Sequence, residues 1–452
     1  MLFRRIVYWV SGRCLHWFYR EHRVVGYGKV PTSGPVLLIG NHPNDLPDVI
    51  SGLYLSPRHP RYIATVSVTT SAMARAMYES MAVIPVARVR DARKMKAEGV
   101  DLAAVNQAAN DTVSAALASG EVVAVFPEGG VHDVPQIGRL RTGVAKMILG
   151  HLDAGAKNDV TIVPFGAQYE APRRWGSDTM TVLGEPWTAR AWYEAQPAEH
   201  RGLAALTDRL RESLLSVTRN SASWEEGDTR DEIVAAAAAA TAPHDPLDAA
   251  AGMVSHAAAV AANAHSGGVW PQTVRLKTAS DALARAVERA GGIGSSAVDH
   301  ALLLFALEIQ VGKRPVSTAA LLAGVPAAAI GWLVHAPILA VVNAVAKRIA
   351  KDRVDFVPSC FVPGLYLVLL WWVLVSVLAA VGMFAVGIGP WWALPLLIAL
   401  PRLGDLAIAW RQRFVGWRLV RRVQRWSTSD RMALRDAATV VRETATQWKA
   451  LP

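Results

Sequence analysis

The sequence predicts an α/β domain, built as a central mixed sheet flanked by helices, followed by a helical, membrane-embedded C-terminal region. Three observations carry that prediction. Between about residues 24 and 190, short apolar runs alternate with stretches of helical periodicity. At 452 residues the chain is longer than one hydrophobic core commonly supports. Hydrophobic residues make up 52% of it and the mean hydropathy is +0.23, with the excess gathered in the C-terminal third, where runs reach membrane-spanning length.

Residues 1–23 read as an interfacial amphipathic helix. Leu2, Phe3, Ile6, Val7, Val10, Cys14, Trp17 and Phe18 recur at helical spacing, with Arg4, Arg5 and Arg13 beside them. The same periodicity also suits a core helix. Arg13, His16, Arg20 and Glu21 interrupt the stretch before any signal-peptide core, so no secretion signal is read.

Residues 24–194 form the α/β domain. Strands are predicted at 36–40, 61–65, 83–86, 121–126, 160–166 and 180–183, where β-branched residues cluster. Helices over 92–118 and 141–152 lie between strands, as the crossovers of a parallel arrangement must. Residues 195–315 read as a helical, Ala-rich extension, broken at Pro243-His244-Asp245-Pro246 and Ser266-Gly267-Gly268.

The membrane region spans 316–410. Its first stretch, 316–346, has basic residues at both ends and Pro326, Gly331, His335 and Pro337 in its middle, a pattern that predicts a re-entrant or interfacial helix pair. Residues 364–384 carry no charge, and 390–410 carry only Arg402 and Asp405. No basic residue lies between Gly382 and Gly389, whereas Lys351, Arg353, Arg411 and Arg413 flank the pair. That asymmetry predicts a transmembrane hairpin over 364–410 with both ends, and the α/β domain, on the cytosolic face. Residues 411–452 then read as a basic cytosolic tail.

Charge narrows the partners. Lys and Arg outnumber acidic residues 47 to 37, a net charge of +10, and they crowd beside apolar stretches, which suits anionic membrane lipids. No nucleic-acid-binding motif or aromatic-laced basic face accompanies them, so nucleic acid is not an expected partner. The two cysteines, Cys14 and Cys360, give no disulfide framework, and His244, His256, His265 and His300 follow no metal-ligand spacing, so no metal or bound cofactor is expected.

Two polar loops follow apolar strands. The first, Asn41-His42-Pro43-Asn44-Asp45-Leu46-Pro47-Asp48, places a histidine at a strand end with carboxylates nearby. Such a His can take a proton from an alcohol while Asp48 or Asp45 holds its tautomer. The same residues also suit a helix cap and a loop histidine bonded to backbone. The second loop, Phe126-Pro127-Glu128-Gly129-Gly130-Val131-His132-Asp133, offers a carboxylate and glycines that let a substrate approach backbone N–H groups; it also suits an ordinary Pro/Gly turn. Arg88 and Arg141 offer forks for a phosphate, with Arg90 and Arg139 as close competitors. Neither cysteine lies in a site motif and no Gly-x-Ser-x-Gly elbow occurs, so a covalent intermediate on Ser or Cys is disfavoured.

Taken in order, these pieces resemble the glycerophospholipid acyltransferase family. Its members carry a His-Asp motif, an Ile-Pro-Val-x-Arg-like motif (here 84–88), Phe-Pro-Glu-Gly (126–129) and a late Val-Pro motif (163–164). The five residues between His42 and Asp48 resemble the fungal-type glycerol-3-phosphate acyltransferase branch. The resemblance implies His42 as base, Asp48 as its orienting partner, Asn44 within the substrate site, Glu128 and Gly129 as acceptor contacts, and Arg88 and Arg141 as phosphate ligands. Val131 departs from it, standing where relatives often have a hydroxyl residue, and Arg141 stands where many have lysine. The implied activity is transfer of a fatty acyl group from acyl-CoA or acyl carrier protein to a hydroxyl of glycerol-3-phosphate. Lysophosphatidic acid or another lysophospholipid is the rival acceptor, and a non-catalytic lipid-binding scaffold the rival from another class.

Overall fold

The computed structural model describes residues 2–65, 79, 81–87, 101–153, 159–169, 172–223, 225, 232–233, 235–237, 239, 274–292, 297–308, 318–350 and 355–449. Arg88, the start of the helix expected over 92–118, and the breaks at 243–246 and 266–268 lie outside the described residues. The chain forms two compact units. One comprises Met1–Leu15, His22–Tyr169 and Thr179–Trp224, the other His16–Glu21, Glu170–Asp178 and Glu225–Pro452.

The first unit is built on a mixed sheet. Its strands are β1 (Glu21–Val25), β2 (Val36–Gly40), β3 (Arg61–Thr65), β4 (Ile84–Val86), β5 (Val122–Val125), β6 (Thr161–Tyr169), β7 (Asp178–Leu183) and β8 (Trp187–Thr188). They are ordered β1-β7-β6-β2-β5-β3-β4, with β8 pairing β6. β2 runs parallel to both β5 and β6, and β3 parallel to β4 and β5, while β7 and β8 pair antiparallel with β6. Every residue of β2 and β5 is buried, which explains their unbroken apolar spelling: a parallel strand covered on both faces has no polar side to alternate with.

Helices cover that sheet. Leu102–Ala118, capped by the Asp101 side chain accepting from Ala103 N, contributes Ala109, Val113, Ala116 and Leu117 to the core. Gly143–Asp153 contributes Val144, Ala145 and Ile148. The domain reaches beyond residue 194: Leu206, Leu210 and Leu214 of the helix Leu203–Leu215 sit in the same cluster as Leu37 and Val123. Their i, i+4, i+8 spacing is the apolar stripe of a helix docked on a sheet.

The helix Leu2–Phe18 has a packed side and an exposed side. On its inner side the Tyr54 hydroxyl donates to Tyr8 O at 2.6 Å over Gly12, while Ile6 and Trp9 stay exposed and Arg13 lies over the Trp9 ring.

The second unit is helical. Among the described residues three segments are long and apolar enough to cross a membrane: Thr318–Ile349, Phe356–Ala385 and Pro390–Gln424. Two expectations are corrected here. Where the sequence predicts a helix pair over 316–346, Thr318–Ile349 is one continuous helix through Pro326 and Pro337. Proline costs a helix one backbone bond, here at the carbonyls of Leu322 and Leu333, and the packed neighbours bond the helix one residue away: Trp371 and Trp410 donate from the two other helices to Val334 O and Leu321 O. Nor are residues 411–452 a tail. The third helix runs on to Gln424, and Thr428–Lys449 is a further helix whose Leu434, Ala438 and Val441 pack with Leu283, Val287, Leu303 and Val420. The charges between those residues masked the stripe.

Candidate active site

The sheet topology places the two polar loops side by side. β2 and β5 are adjacent and parallel, with Ile39 opposite Val125, so the residues after each strand leave the sheet together at its carboxyl end. Connections run to opposite sides of β2 there, the position at which open parallel sheets leave a crevice for ligands. β6 runs on past the end of β2, from Phe165 opposite Gly40 to Tyr169. Asn41 extends the pairing with its side chain, donating to Ala167 O at 3.1 Å and accepting from Ala167 N at 2.7 Å. That clamp fixes the backbone immediately before His42.

His42 and Asp48 meet because the chain between them turns into a short helix, Leu46–Gly52, with Asp45 at its N-cap position at a positive φ (55°). His42 Nδ1 lies 2.9 Å from Asp48 Oδ2. Asp45, the rival partner, is half-exposed and 4.0 Å from the other ring nitrogen. Asp48 is fully buried, and its carboxylate also accepts from Asn44 N at 2.7 Å and from the Tyr169 hydroxyl at 2.5 Å. Burial pushes its pKa up, with the donors from His42, Tyr169 and Asn44 pulling against that shift. The ring of His42 stacks flat on Phe126, centroids 4.1 Å apart and planes at 7°. With Nδ1 held by Asp48 and one face held by Phe126, the orientation of Nε2 is fixed. The arrangement is that of a base whose tautomer is set by a buried carboxylate.

The second loop is tied to the first through Glu128, which is 6% exposed. Its Oε1 accepts from His42 N at 2.8 Å, and its Oε2 accepts from Gly138 N at 2.5 Å and bonds His132 Nε2. Burial works against its charge, yet the bonds from His132, Gly138 and His42 outweigh it and hold the carboxyl below its usual range. Glu128 therefore has internal partners on both oxygens and joins the two loops. Gly129 sits at φ +71°, where an L side chain is strained, and its N–H donates to Phe126 O at 3.0 Å. That N–H is committed to the turn rather than to a developing oxyanion. A Cβ at residue 129 would stand 3.1 Å from Arg141 Cγ, and Arg141 N bonds Pro127 O at 2.7 Å, so Arg141 is anchored beside the turn with its side chain exposed.

The structure thus brings His42, Asn44, Asp48, Glu128, Gly129 and Arg141 to one end of the sheet. Sequence reasoning did not single out Asn41, Tyr169, His132 or Gly138. Asn41 and Tyr169 depend on β6 outrunning β2, a register no local pattern reveals, while His132 was visible at i+4 from Glu128. Among the described residues no group of three or more His, Cys, Asp or Glu side chains is arranged to hold a metal ion.

Residues 21–168 match the family model described as Acyltransferase. The chain is 33% identical over 112 residues to an uncharacterized acyltransferase of Schizosaccharomyces pombe, covering 24% of this chain and 17% of that protein. Glycerol-3-phosphate O-acyltransferases 2 and 1 of Saccharomyces cerevisiae are 33% and 32% identical over 107 and 113 residues, 23% and 24% of this chain. The matches span only 14% and 15% of those two yeast proteins. Among solved structures, the 1-acyl-sn-glycerophosphate acyltransferase of Thermotoga maritima aligns with a TM-score of 0.32 and 12% identity, over 47% of this chain and 76% of that one.

Proposed function

We propose that this chain, whose residues 21–168 form an acyltransferase domain of the glycerophospholipid acyltransferase family, transfers a fatty acyl group from an acyl thioester to a hydroxyl of glycerol-3-phosphate at a membrane surface. The observation that carries this reading is the His42–Asp48 pair, 2.9 Å apart, on a buried carboxylate held by two further donors.

In the proposed reaction His42 Nε2 takes the proton of the acceptor hydroxyl as its oxygen attacks the thioester carbonyl. Asp48 stabilises the imidazolium that forms. The tetrahedral intermediate then collapses, the carbon–sulfur bond breaks, and the proton passes from His42 to the departing thiolate. Products are the ester and the free thiol, and no covalent enzyme intermediate is needed. Arg141, exposed beside the 126–129 turn, supplies positive charge for the acceptor phosphate, with Arg88 as a second candidate by sequence. The donor is acyl-CoA or acyl carrier protein. Three apolar helices support membrane attachment, and the charge asymmetry around 364–410 supports a cytosolic catalytic domain provided that Thr318–Ile349 does not itself cross the bilayer. An ester product partitions into lipid, which favours chemistry at the bilayer surface.

The test is thiol release from a long-chain acyl-CoA by detergent-solubilised protein, with glycerol-3-phosphate or lysophosphatidic acid as acceptor. Glycerol-3-phosphate-dependent turnover that falls about a hundredfold to ten-thousandfold in His42→Ala supports the reading. Turnover with the lysolipid alone replaces the acceptor, and an unimpaired His42→Ala variant removes the catalytic assignment.

A further inference from the structure

The proposed chemistry leaves one titratable side chain beside the site without a task. His132 is part-buried on the loop after β5, and its Nε2 bonds Glu128 Oε2, while its Nδ1 is buried with no hydrogen-bond partner. Nε2 carries a proton in that setting and donates it to the carboxylate. Gly138 N–H points into the same corner, 2.5 Å from Glu128 Oε2 and 3.1 Å from His132 Nε2. The space is too tight for a side chain at residue 138, where a Cβ would stand 2.8 Å from His132 Nε2 and 3.0 Å from Glu128 Oε2.

What makes the corner consequential is the far side of the carboxylate. Glu128 Oε1 holds the backbone N–H of His42 at 2.8 Å, so a carboxylate gripped on one oxygen by His132 and Gly138 grips the proposed base with the other. A carboxylate is planar and rigid, so a rotation at Oε2 moves Oε1. His42 is held elsewhere by Asp48 and Phe126, which set its ring, and by Asn41, which sets the residue before it. The Glu128 bond alone anchors its own backbone N–H.

We propose that His132 is a positioning residue: through Nε2 it locks the Glu128 carboxylate, which fixes the His42 backbone and hence the height of the base above the substrate. This rests on the acyltransfer reading above for its kinetic consequence, but the geometric claim stands without it. The groups facing His132 are Glu128, the Gly138 N–H and the neighbouring Asp133.

A pair of amide substitutions separates this role from a merely structural one. In His132→Gln the amide nitrogen reaches the place of Nε2 and still donates to Glu128. In His132→Asn it ends near the place of Nδ1 and falls short. The full-length protein in detergent is read in two ways: by hydrogen exchange of a peptide covering residues 41–44, and by kcat and KM for the acceptor. The expected result is faster exchange at 41–44 and a kcat lower by about tenfold or more in His132→Asn, with KM nearly unchanged, because a displacement of the order of 1 Å costs that much. His132→Gln restores both. Two variants that both resemble wild type, or that are equally impaired, overturn the proposal, as does a loss confined to KM. If wild type shows no turnover with any acceptor, the acyltransfer reading has failed by itself, and the exchange rates alone decide whether His132 holds the His42 backbone.

Discussion

The sheet unit and the three long apolar helices of the other unit place their apolar side chains in opposite senses. In the sheet unit the large aliphatic side chains are inside: Leu38 and Ile39 are fully buried, and Asp48, Asn41 and Glu128 reach the interior as members of a bonded set. In the three long apolar helices many are outside, although Leu283 and Leu303 elsewhere in that unit belong to an ordinary buried core. Leu333 is 79% exposed, Ile398 78%, Phe384 73% and Leu370 67%, while the interior holds Gly331, His335, Trp372 and Gly404. There the polar atoms stitch the helices: Trp372 Nε1 donates to His335 Nε2 at 3.0 Å, and the other ring nitrogen bonds Gly331 O at 2.9 Å. Apolar surface facing outward with small and polar residues between helices is the pattern of a bundle whose solvent is lipid. One chain is written in two codes, and a substitution has a meaning only once its solvent is known.

The largest expected effects come from asking both units the same question. Leu38→Ala empties a packed site and is expected to cost about 2–5 kcal/mol of stability. Leu370→Ala, on an outward face, leaves no cavity and should barely shift the thermal midpoint in detergent. Leu370→Arg should cost about 2.5–3.5 kcal/mol of membrane insertion if that face meets lipid. Val134→Arg, at a comparably exposed site of the sheet unit, should be neutral. Membrane extraction and thermal melts of the four variants check this. Equal behaviour of the two arginine variants would break the two-solvent comparison.

A smaller effect sharpens what the units share. Gly40 of β2 lies against the Phe165 ring, and Gly331 lies against the Leu403 carbonyl, so a Cβ at either collides with its neighbour. Gly40→Ala and Gly331→Ala should each lose about 1–3 kcal/mol, read as a lower melting temperature. Close approach is thus a requirement in both units, between strand and ring in one and between helices in the other.

How far the sequence displays this design depends on the reach of the forces involved. Strands 36–40 and 61–65 have the predicted bounds, the first because a buried parallel strand is a local run of apolar residues. β6 runs three residues beyond its expected end: Ala167, Gln168 and Tyr169 pair with Thr181, Met180 and Thr179, a partnership decided far along the chain. β1 is polar or charged at three of five positions and shows no strand signal of its own. The helix through Pro326 and Pro337 looks broken in the sequence because proline's cost is local, whereas the packing of the neighbouring helices against it is not. In the site, His42, Asp48 and Glu128 were legible as strand-end polar residues. Tyr169, which completes the Asp48 carboxylate, lies 121 residues away and was not.

The smallest expected effect concerns pH, and it tests whether the polar corner of the sheet unit is a coupled set rather than two neighbouring loops. The donors around Glu128 hold its carboxyl below the ordinary 4.5, so its contribution to stability is present above that value and is lost as pH falls through the lowered one. The bond to Glu128 holds His132 above the ordinary 6.5, with burial opposing and Asp133 assisting. Its contribution is complete below 6.5 and is lost as pH rises through the raised value. The two together predict a plateau between 4.5 and 6.5 in the protection of residues 41–44 from exchange, after correction for intrinsic rates, declining on both sides. His132→Gln removes only the alkaline decline, since an amide does not titrate there. An alkaline arm that survives the substitution would mean that the pH sensitivity of the His42 loop comes from another group, and that His132 and Glu128 do not act as one unit.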